Sequence, residues 1–215
     1  MKIMLDVSPE KLRSCENRYS HEFWQLITPL RINKLAGVPY GIDNGCYSRF
    51  KKDEFCKLID NADRDRTNLQ WIVCPDMVAD AQRTRELYDY FARKHLRGLP
   101  IAYVLQDNCQ FTRIPYDEVE CLFVGGTTPF KTSDAALNAV RTAKMIKPEI
   151  MIHVGRVNSF DRAEWWIAAG ERYGFKVDSC DGSGMSRFGD TKYDTHIQNV
   201  LSAIRDDHPQ VEIAI

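Results

Sequence analysis

The chain has 215 residues, of which 44% are hydrophobic and 27% charged, and its 29 basic and 30 acidic side chains give a net charge of −1. This composition fits one domain over residues 1–215 and excludes intrinsic disorder, which needs fewer apolar residues and a larger charge imbalance. It also excludes a protein that coats nucleic acid by bulk electrostatics, since such proteins carry a large basic excess. Contact with nucleic acid would need a local basic patch.

The sequence predicts a cytoplasmic protein with no membrane partner. No stretch approaches the ~20 apolar residues that a membrane helix requires. The N-terminal sequence MKIMLDVSPEKLR has too short an apolar run for a signal peptide. Seven cysteines, an odd number without paired spacing, indicate a reducing compartment rather than a disulfide framework.

Short apolar runs of four or five residues recur along the chain and predict buried parallel strands. They occupy residues 2–5, 39–42, 70–74, 101–105, 121–124, 151–154, 174–177 and 211–215. Longer amphipathic stretches at 78–96, 133–145, 159–171 and 193–204 predict helices, with Ser133 and Ser159 as N-cap candidates. Alternating strands and helices are typical of an α/β fold with a parallel sheet.

Eight such strands predict a compact (β/α)8 TIM-like barrel, and a doubly wound open sheet is the alternative. Barrels of this type usually have about 250 residues, so several helices must be short or missing. Active sites of these barrels lie at the C-terminal ends of the strands. Polar or glycine residues follow six of the predicted strands, namely Asp43-Asn44-Gly45, Asp76, Gln106, Gly125-Gly126, Gly155-Arg156 and Asp178 to Gly184.

Carboxylates that converge without a metal-type set of histidines and cysteines suit glycosyl chemistry. One carboxylate attacks or stabilises the sugar carbon while another handles the proton. Neighbouring like charges separate the pKa values and so assign acid and base roles, and glycines let backbone N–H groups approach a flat ligand. We therefore expect neither a metal nor a cofactor.

The ordered motifs DNGCY, CPDMV, VLQD, FVGG, IHVGR and DSCDGSGMSR resemble the tRNA-guanine transglycosylase superfamily. The similarity is greater to its short DpdA-like members, which act on deazapurines in DNA, and it spans about residues 41–187. The resemblance implies that Asp43 is a general acid/base and that Asp76 hydrogen-bonds the purine edge. It further implies that Gln106 reads the base carbonyl and that Gly125 and Gly126 lie against the base.

The resemblance places the nucleophile within DSCDGSGMSR but leaves its register open. Counting back from Arg187, which matches a family arginine near the phosphates, favours Asp181, whereas aligning the aspartate–serine pair favours Asp178. Further phosphate contacts are expected on the same rim from Arg156 and Lys131, and also from Arg49.

The implied reaction is attack on C1′ of a nucleotide, expulsion of the base, and exchange for a free 7-deazaguanine-type base as co-substrate. The cysteine-rich zinc site of the tRNA enzymes is missing after Cys180, which favours DNA, with the target nucleotide flipped or single-stranded. The alternatives are a DNA glycosylase that uses water, a non-catalytic base-binding barrel and a metal-dependent phosphate-cleaving barrel. The sequence indicates no oligomeric state.

Each residue also has a simpler interpretation. Asp43-Asn44-Gly45 is typical of an ordinary turn, and Asp76 or Asp80 could cap the following helix. His153, inside an apolar strand, is predicted to be a buried histidine with its hydrogen bonds made, rather than a ligand.

Overall fold

Eight parallel strands, each hydrogen-bonded to the next in chain order, close into a barrel. The computed structural model describes residues 1–48, 50–182 and 190–206, except the side chains of 190–193 and 206. The predicted α/β TIM-like barrel is confirmed, and the open sheet is excluded. The strands are β1 (Lys2–Leu5), β2 (Phe23–Ile27), β3 (Tyr40–Ile42), β4 (Leu69–Val73), β5 (Ile101–Leu105), β6 (Cys121–Val124), β7 (Met151–Val154) and β8 (Ser179–Asp181).

Helices surround the barrel but do not follow every strand. Two connections, β2 to β3 and β5 to β6, contain no α-helix, and the second has only a 3₁₀ turn at Cys109–Phe111. These missing helices explain how a barrel fits into so short a chain. The helices are α1 (Pro9–Tyr19), α2 (Lys52–Arg64), α3 (Ala81–His95), α4 (Asp134–Ile146), α5 (Phe160–Tyr173) and α6 (Asp190–Asp206).

Side-chain caps fix where four of these helices begin. Ser8, Asp80, Ser133 and Ser159 each accept a hydrogen bond from a backbone N–H in the first turn of α1, α3, α4 and α5. Such a cap satisfies one of the N–H groups that a helix leaves without an internal partner. The caps predicted at Ser133 and Ser159 are confirmed.

Two of the predicted strands differ from the structure or lie outside its described part, and one strand was not predicted. The prediction at 174–177 is wrong, because the barrel closes through β8, where β1 pairs with residues 179–181 and β7 with 179–180. Strand β2 and helices α1 and α2 were not predicted. The strand predicted at 211–215 lies outside the described residues. β8 has only three residues, with the sequence Ser-Cys-Asp, and so lacks the apolar run that marks the other strands.

The barrel interior is packed with its own apolar cluster, centred on the fully buried Trp71. Gly41 on the neighbouring strand leaves room for this ring, since a Cβ at that position would lie 2.7 Å from it. The upper part of the cluster is the floor of a cavity at the C-terminal ends of the strands, formed by Met4, Leu26, Val73 and Val104.

None of the helices in the described part of the chain combines the length and the apolar character needed to span a membrane.

Candidate active site

A cavity of about 180 Å³ lies at the C-terminal end of the barrel, and residues from the ends of all eight strands line it. This is the end at which TIM barrels place their active sites. Its charged lining residues are the acids Asp6, Asp43, Asp76 and Asp181 and the cations Lys51, Lys131 and Arg156. The cavity therefore brings together most of the residues that the sequence singled out.

Asp181 ends β8 with one carboxylate oxygen held in place. Its Oδ1 accepts a hydrogen bond from the backbone N–H of Arg156 at 2.9 Å and lies 3.2 Å from Nε2 of His153. Within the ranges that the structure describes, no group donates a hydrogen bond to Oδ2. The side chain is only 13% exposed. A fixed carboxylate with one oxygen unoccupied is suited to nucleophilic attack or to stabilising a cation.

His153 connects this carboxylate to the barrel interior. Its ring is fully buried and lies 4.8 Å from the Trp71 ring and 4.4 Å from the Phe123 ring. Nδ1 lies 2.8 Å from the hydroxyl of Ser179. If Nε2–H donates to the carboxylate of Asp181, Nδ1 accepts from the serine hydroxyl. His153 is thus the buried histidine that the sequence predicted, and it also contacts a candidate catalytic group.

Asp43 follows β3, and its Oδ1 accepts the backbone N–H of Gly45 at 2.8 Å. The pKa of Asp43 is raised to about 7, chiefly because the side chain is buried; the Gly45 hydrogen bond lowers this pKa, and the nearby carboxylates of Asp181 and Asp76 raise it. A carboxyl group with this pKa is half protonated near neutral pH, which suits a general acid/base. The turn predicted at 43–45 lies at 46–48 instead, and within 43–45 the Asp43 side chain binds the backbone of Gly45 while it lines the cavity.

Asp76 is held by two carboxamides. Asn44 Nδ2 donates to Oδ1 at 2.7 Å, and Gln106 Nε2 donates to Oδ2 at 2.6 Å. Burial nevertheless raises the pKa of Asp76 to about 6, although both amides and the charge of Lys131 favour the anion. Asp80, not Asp76, caps the following helix. The Asp76 carboxylate thus has a fixed orientation in which its oxygens can accept hydrogen bonds from a ligand.

Gln106 has a fixed orientation because both ends of its carboxamide are bound. Its Oε1 accepts the backbone N–H of Ala79 at 2.8 Å, while its Nε2 donates to Asp76. Its side chain is buried and lines the cavity. A ligand would meet the remaining N–H of this amide.

Gly125 and Gly126 line the cavity as expected, but packing alone already requires glycine at both positions. A Cβ on Gly125 would lie 2.5 Å from Cγ1 of Val104, and one on Gly126 would lie 2.6 Å from Cδ1 of Phe130. Gly126 also has a φ of +71°, a region that favours glycine. The two glycines therefore shape the cavity wall whether or not a flat ligand lies against it.

The prediction that Lys131 contacts phosphates from the rim is wrong. The residue is only 3% exposed, and its Nζ donates to the carbonyl oxygens of Gly125 at 2.6 Å and Gly126 at 2.8 Å. Burial lowers the pKa of Lys131 to about 8, against the charge of Asp181, which favours the ammonium form. Lys131 is a buried cation in the cavity wall that fixes the end of β6.

Arg156 does lie at the mouth of the cavity. Its backbone adopts a left-handed conformation with φ of 59°, and its guanidinium carbon lies 3.1 Å from the centroid of the Tyr47 ring. The Tyr47 side chain is 56% exposed. The pair links the loops after β3 and β7 above the carboxylates. Arg187 and Arg49, the other expected phosphate contacts, lie outside the described residues.

The two nucleophile candidates lie at opposite ends of β8. Asp178 precedes the strand, where its Oδ2 accepts the backbone N–H of Ile152 at 2.7 Å and its own N–H donates to the Ile152 carbonyl at 2.9 Å. It does not line the cavity. Asp178 therefore lies at the end of the barrel away from the cavity, and of the two nucleophile candidates the geometry favours Asp181.

Asp6 and Tyr47 are among the cavity residues to which the sequence reasoning gave no role. Asp6 directly follows β1, so the rule applied to the other strand ends would have found it. Arg31 binds it, with Nη1 donating to the Asp6 carbonyl at 2.6 Å and Nε lying 3.5 Å from Oδ1. Tyr47 ends the DNGCY motif but received no role there, because the exposure of a loop aromatic is not visible in sequence.

Neither family models nor curated proteins give a match to this chain. Over residues 1–48, 50–182 and 190–206, no group of three or more histidine, cysteine, aspartate or glutamate side chains is arranged to hold a metal ion.

Proposed function

We propose that this chain cleaves the N-glycosidic bond of a nucleotide in DNA, with Asp181 as the nucleophile, and exchanges the base for a 7-deazaguanine-type base. The main support for this proposal is that one cavity holds three carboxylates that differ in their hydrogen bonds and pKa values. Asp181 has one held and one available oxygen, Asp43 has a pKa of about 7, and Asp76 is fixed by two amides. The resemblance to the transglycosylase superfamily supports the same assignment.

In the proposed reaction, Oδ2 of Asp181 attacks C1′ and forms a C–O bond while the bond from C1′ to the base nitrogen breaks. The electron pair of that bond leaves with the base, and the protonated carboxyl of Asp43 supplies the proton that neutralises it. A nitrogen of the incoming base then attacks C1′ of the covalent sugar ester and forms the new C–N bond while the C1′–Oδ2 bond breaks, and its electron pair returns to the carboxylate of Asp181. Asp43 takes the proton of that nitrogen and returns to its starting state.

The base would be recognised by the fixed polar groups on the β4 and β5 ends. The Asp76 carboxylate accepts N–H groups from the edge of a base, and the free N–H of Gln106 meets a carbonyl oxygen beside them. Because both side chains are already held by neighbours, little ordering entropy is lost when a ligand binds. The exposed Tyr47 ring at the mouth offers a stacking surface for a flat base.

Release of free base from DNA, measured by mass spectrometry, tests the proposal. Modified and unmodified DNA would be incubated with the wild type and Asp181→Asn, with and without a 7-deazaguanine precursor, and Asp178→Asn is the matched control at the other end of β8. Incorporation that requires the precursor supports exchange, whereas release into water alone supports the hydrolytic glycosylase. If no base leaves and Asp181→Asn binds DNA as the wild type does, the catalytic proposal fails and the base-binding barrel replaces it.

A further inference from the structure

A tight turn stands at the mouth of the cavity, directly after β2. The backbone N–H of Arg31 donates to the carbonyl of Thr28 at 2.9 Å, and the N–H of Thr28 donates back to the carbonyl of Arg31 at 3.2 Å. Pro29 and Leu30 form the tip. Proline fixes one backbone dihedral of such a tip, so the 28–31 turn presents Leu30 in a defined direction.

The 28–31 turn is also attached to the neighbouring loops. The guanidinium of Arg31 donates to the backbone carbonyl of Asp6 after β1 and approaches its carboxylate. On the other side, Pro29 lies against the loop after β3, since a Cβ on Gly45 would be 3.5 Å from Cδ of Pro29. These contacts support the turn from both sides.

The tip exposes apolar surface beside the cavity. Leu30 is 73% exposed although it also lines the cavity, and Ile32 next to the turn is exposed as well. Met77 and Val78, on the loop after β4, are exposed too, and Val78 also lines the cavity. We name these four residues the apolar lip. Exposed apolar side chains next to a pocket are typical of a site of interaction.

A polar feature of the same turn points to a bound molecule. The hydroxyl of Thr28 is buried and lines the cavity, yet it has no hydrogen-bond partner among the described residues. A buried polar group without a partner costs free energy unless a ligand or water satisfies it. The base of the turn thus faces the ligand space while its tip faces outward.

We propose that Leu30 enters the base stack of a DNA duplex and fills the space of the nucleotide that rotates into the cavity. This inference rests on the proposed function and assigns it a duplex substrate. Removing a nucleotide from a duplex costs a few kcal/mol, and proteins that deform DNA insert leucine and similar side chains between base steps. A rigid turn serves this purpose because its tip is already ordered before contact.

A duplex fits the observations better than a single strand does. A single strand has no continuous stack in which a displaced base leaves a gap, so an exposed leucine would gain little there. A duplex also brings phosphates to the mouth, where the Arg156 guanidinium lies above the exposed Tyr47 ring. Because the net charge of −1 provides no bulk electrostatic attraction to DNA, local contacts such as those at this mouth are needed for binding.

The first test compares base release from one DNA presented as a duplex and as a heat-denatured single strand. Leu30→Ala should slow release from the duplex by about tenfold or more and release from the single strand by less than about twofold, as expected if about 1.4 kcal/mol or more of flipping support is lost. Phe111→Ala is the matched control, because Phe111 is 80% exposed and does not line the cavity. Equal loss on both substrates, or no loss on the duplex, would overturn the proposal.

The second test does not depend on catalysis. The substrate is a duplex with a tetrahydrofuran abasic analogue opposite 2-aminopurine, whose fluorescence rises when this base is unstacked. No target base is needed, because the abasic analogue takes the place of the displaced nucleotide. The wild type should bind and raise the fluorescence, whereas Leu30→Ala should bind with little change. If the wild type and Leu30→Ala bind with equal fluorescence, or if the wild type does not bind, the proposal that Leu30 enters the base stack is overturned.

The two tests separate the failure of each proposal. If no base is released from either form of DNA but the wild type raises the 2-aminopurine fluorescence and Leu30→Ala does not, the proposed function is wrong while the insertion of Leu30 is supported. Sedimentation of the wild type and of Leu30→Ala tests the alternative that the apolar lip binds a second copy of the chain. If the wild type is a dimer and Leu30→Ala is a monomer, the apolar lip is an interface between copies of the chain, and the proposal that Leu30 enters DNA is overturned.

Discussion

His153 Nε2 lies 3.2 Å from Asp181 Oδ1, and the backbone N–H of Arg156 reaches the same oxygen at 2.9 Å. With the proton on Nε2, both groups donate to the same oxygen, which fixes the plane of the carboxylate and leaves Oδ2 to the substrate. Ser179 holds the far nitrogen of the imidazole at 2.8 Å, so the orientation of the candidate nucleophile is set from within the barrel. His153 acts through Asp181 and is therefore a positioning residue.

Replacing His153 with phenylalanine tests this role. The ring would keep its packing against Trp71 and Phe123 but lose the donor to Asp181. Because a hydrogen bond to a charged group contributes about 1.5–3 kcal/mol, we expect kcat to fall about 10- to 100-fold with KM nearly unchanged. Steady-state kinetics of base release check this, with Ser179→Ala expected to show a smaller fall in kcat. Unchanged kcat in a folded His153→Phe would show that the contact is only structural.

The raised pKa of Asp43 predicts the pH dependence of the rate. The acid form donates the proton to the leaving base, and that form is lost as the pH rises through about 7. The kcat of the wild type should therefore fall above about pH 7, and Asp43→Asn should be slow and lack this descending limb. A pH series of single-turnover rates provides the measurement. A wild-type rate that rises through pH 7 would make Asp43 a base in the rate-limiting step.

The same raised pKa predicts an effect on stability. In the unfolded chain the carboxyl titrates near 3.8, but in the folded protein near 7, so the folded state binds the proton more tightly. The favourable contribution is complete below pH 3.8 and is lost as the pH rises to about 7. Asp43→Asn should thus have a higher Tm than the wild type at pH 8 and a similar Tm at pH 4. An equal Tm difference at both pH values would contradict the assignment.

Asp178 should matter for stability but not for chemistry. Asp178→Ala leaves the backbone N–H of Ile152 without the carboxylate that it now meets at 2.7 Å, which costs about 1–3 kcal/mol for a buried donor. Denaturant unfolding should show this loss, while kcat at a temperature where the variant is folded stays near the wild-type value. A large fall in kcat with unchanged stability would restore Asp178 as a candidate nucleophile.

Much of the cavity could be predicted from the sequence because one rule, that polar residues after apolar runs meet at the C-terminal end of a barrel, needs only local patterns. It located Asp43, Asp76 and Gln106, and it would have located Asp6 had it been applied to the first strand. The rule failed at β8, whose short polar sequence gives no apolar run. The resulting shift of the predicted strand to 174–177 made Asp178 look like a strand end.

Other features depend on tertiary contacts that no local pattern encodes. A lysine in a loop sequence is expected to be exposed, but Lys131 is buried because two carbonyl oxygens of the β6 end accept its protons. Gly125 and Gly126 are required because a Cβ there would clash with the side chains of Val104 and Phe130, and these contacts form only in the folded structure. The contact between His153 and Asp181 depends on the closure of the barrel through β7 and β8.

The most direct test of the account is to look for the covalent bond between Asp181 and the sugar. Reactions with DNA that releases base would be quenched in acid, digested and mapped by mass spectrometry. We expect a base-free deoxyribose phosphate adduct on the peptide that carries Asp181, present also in Asp178→Asn and absent in Asp181→Asn, which releases no base. Base release by Asp181→Asn at the wild-type rate, or an adduct on another residue, would contradict it.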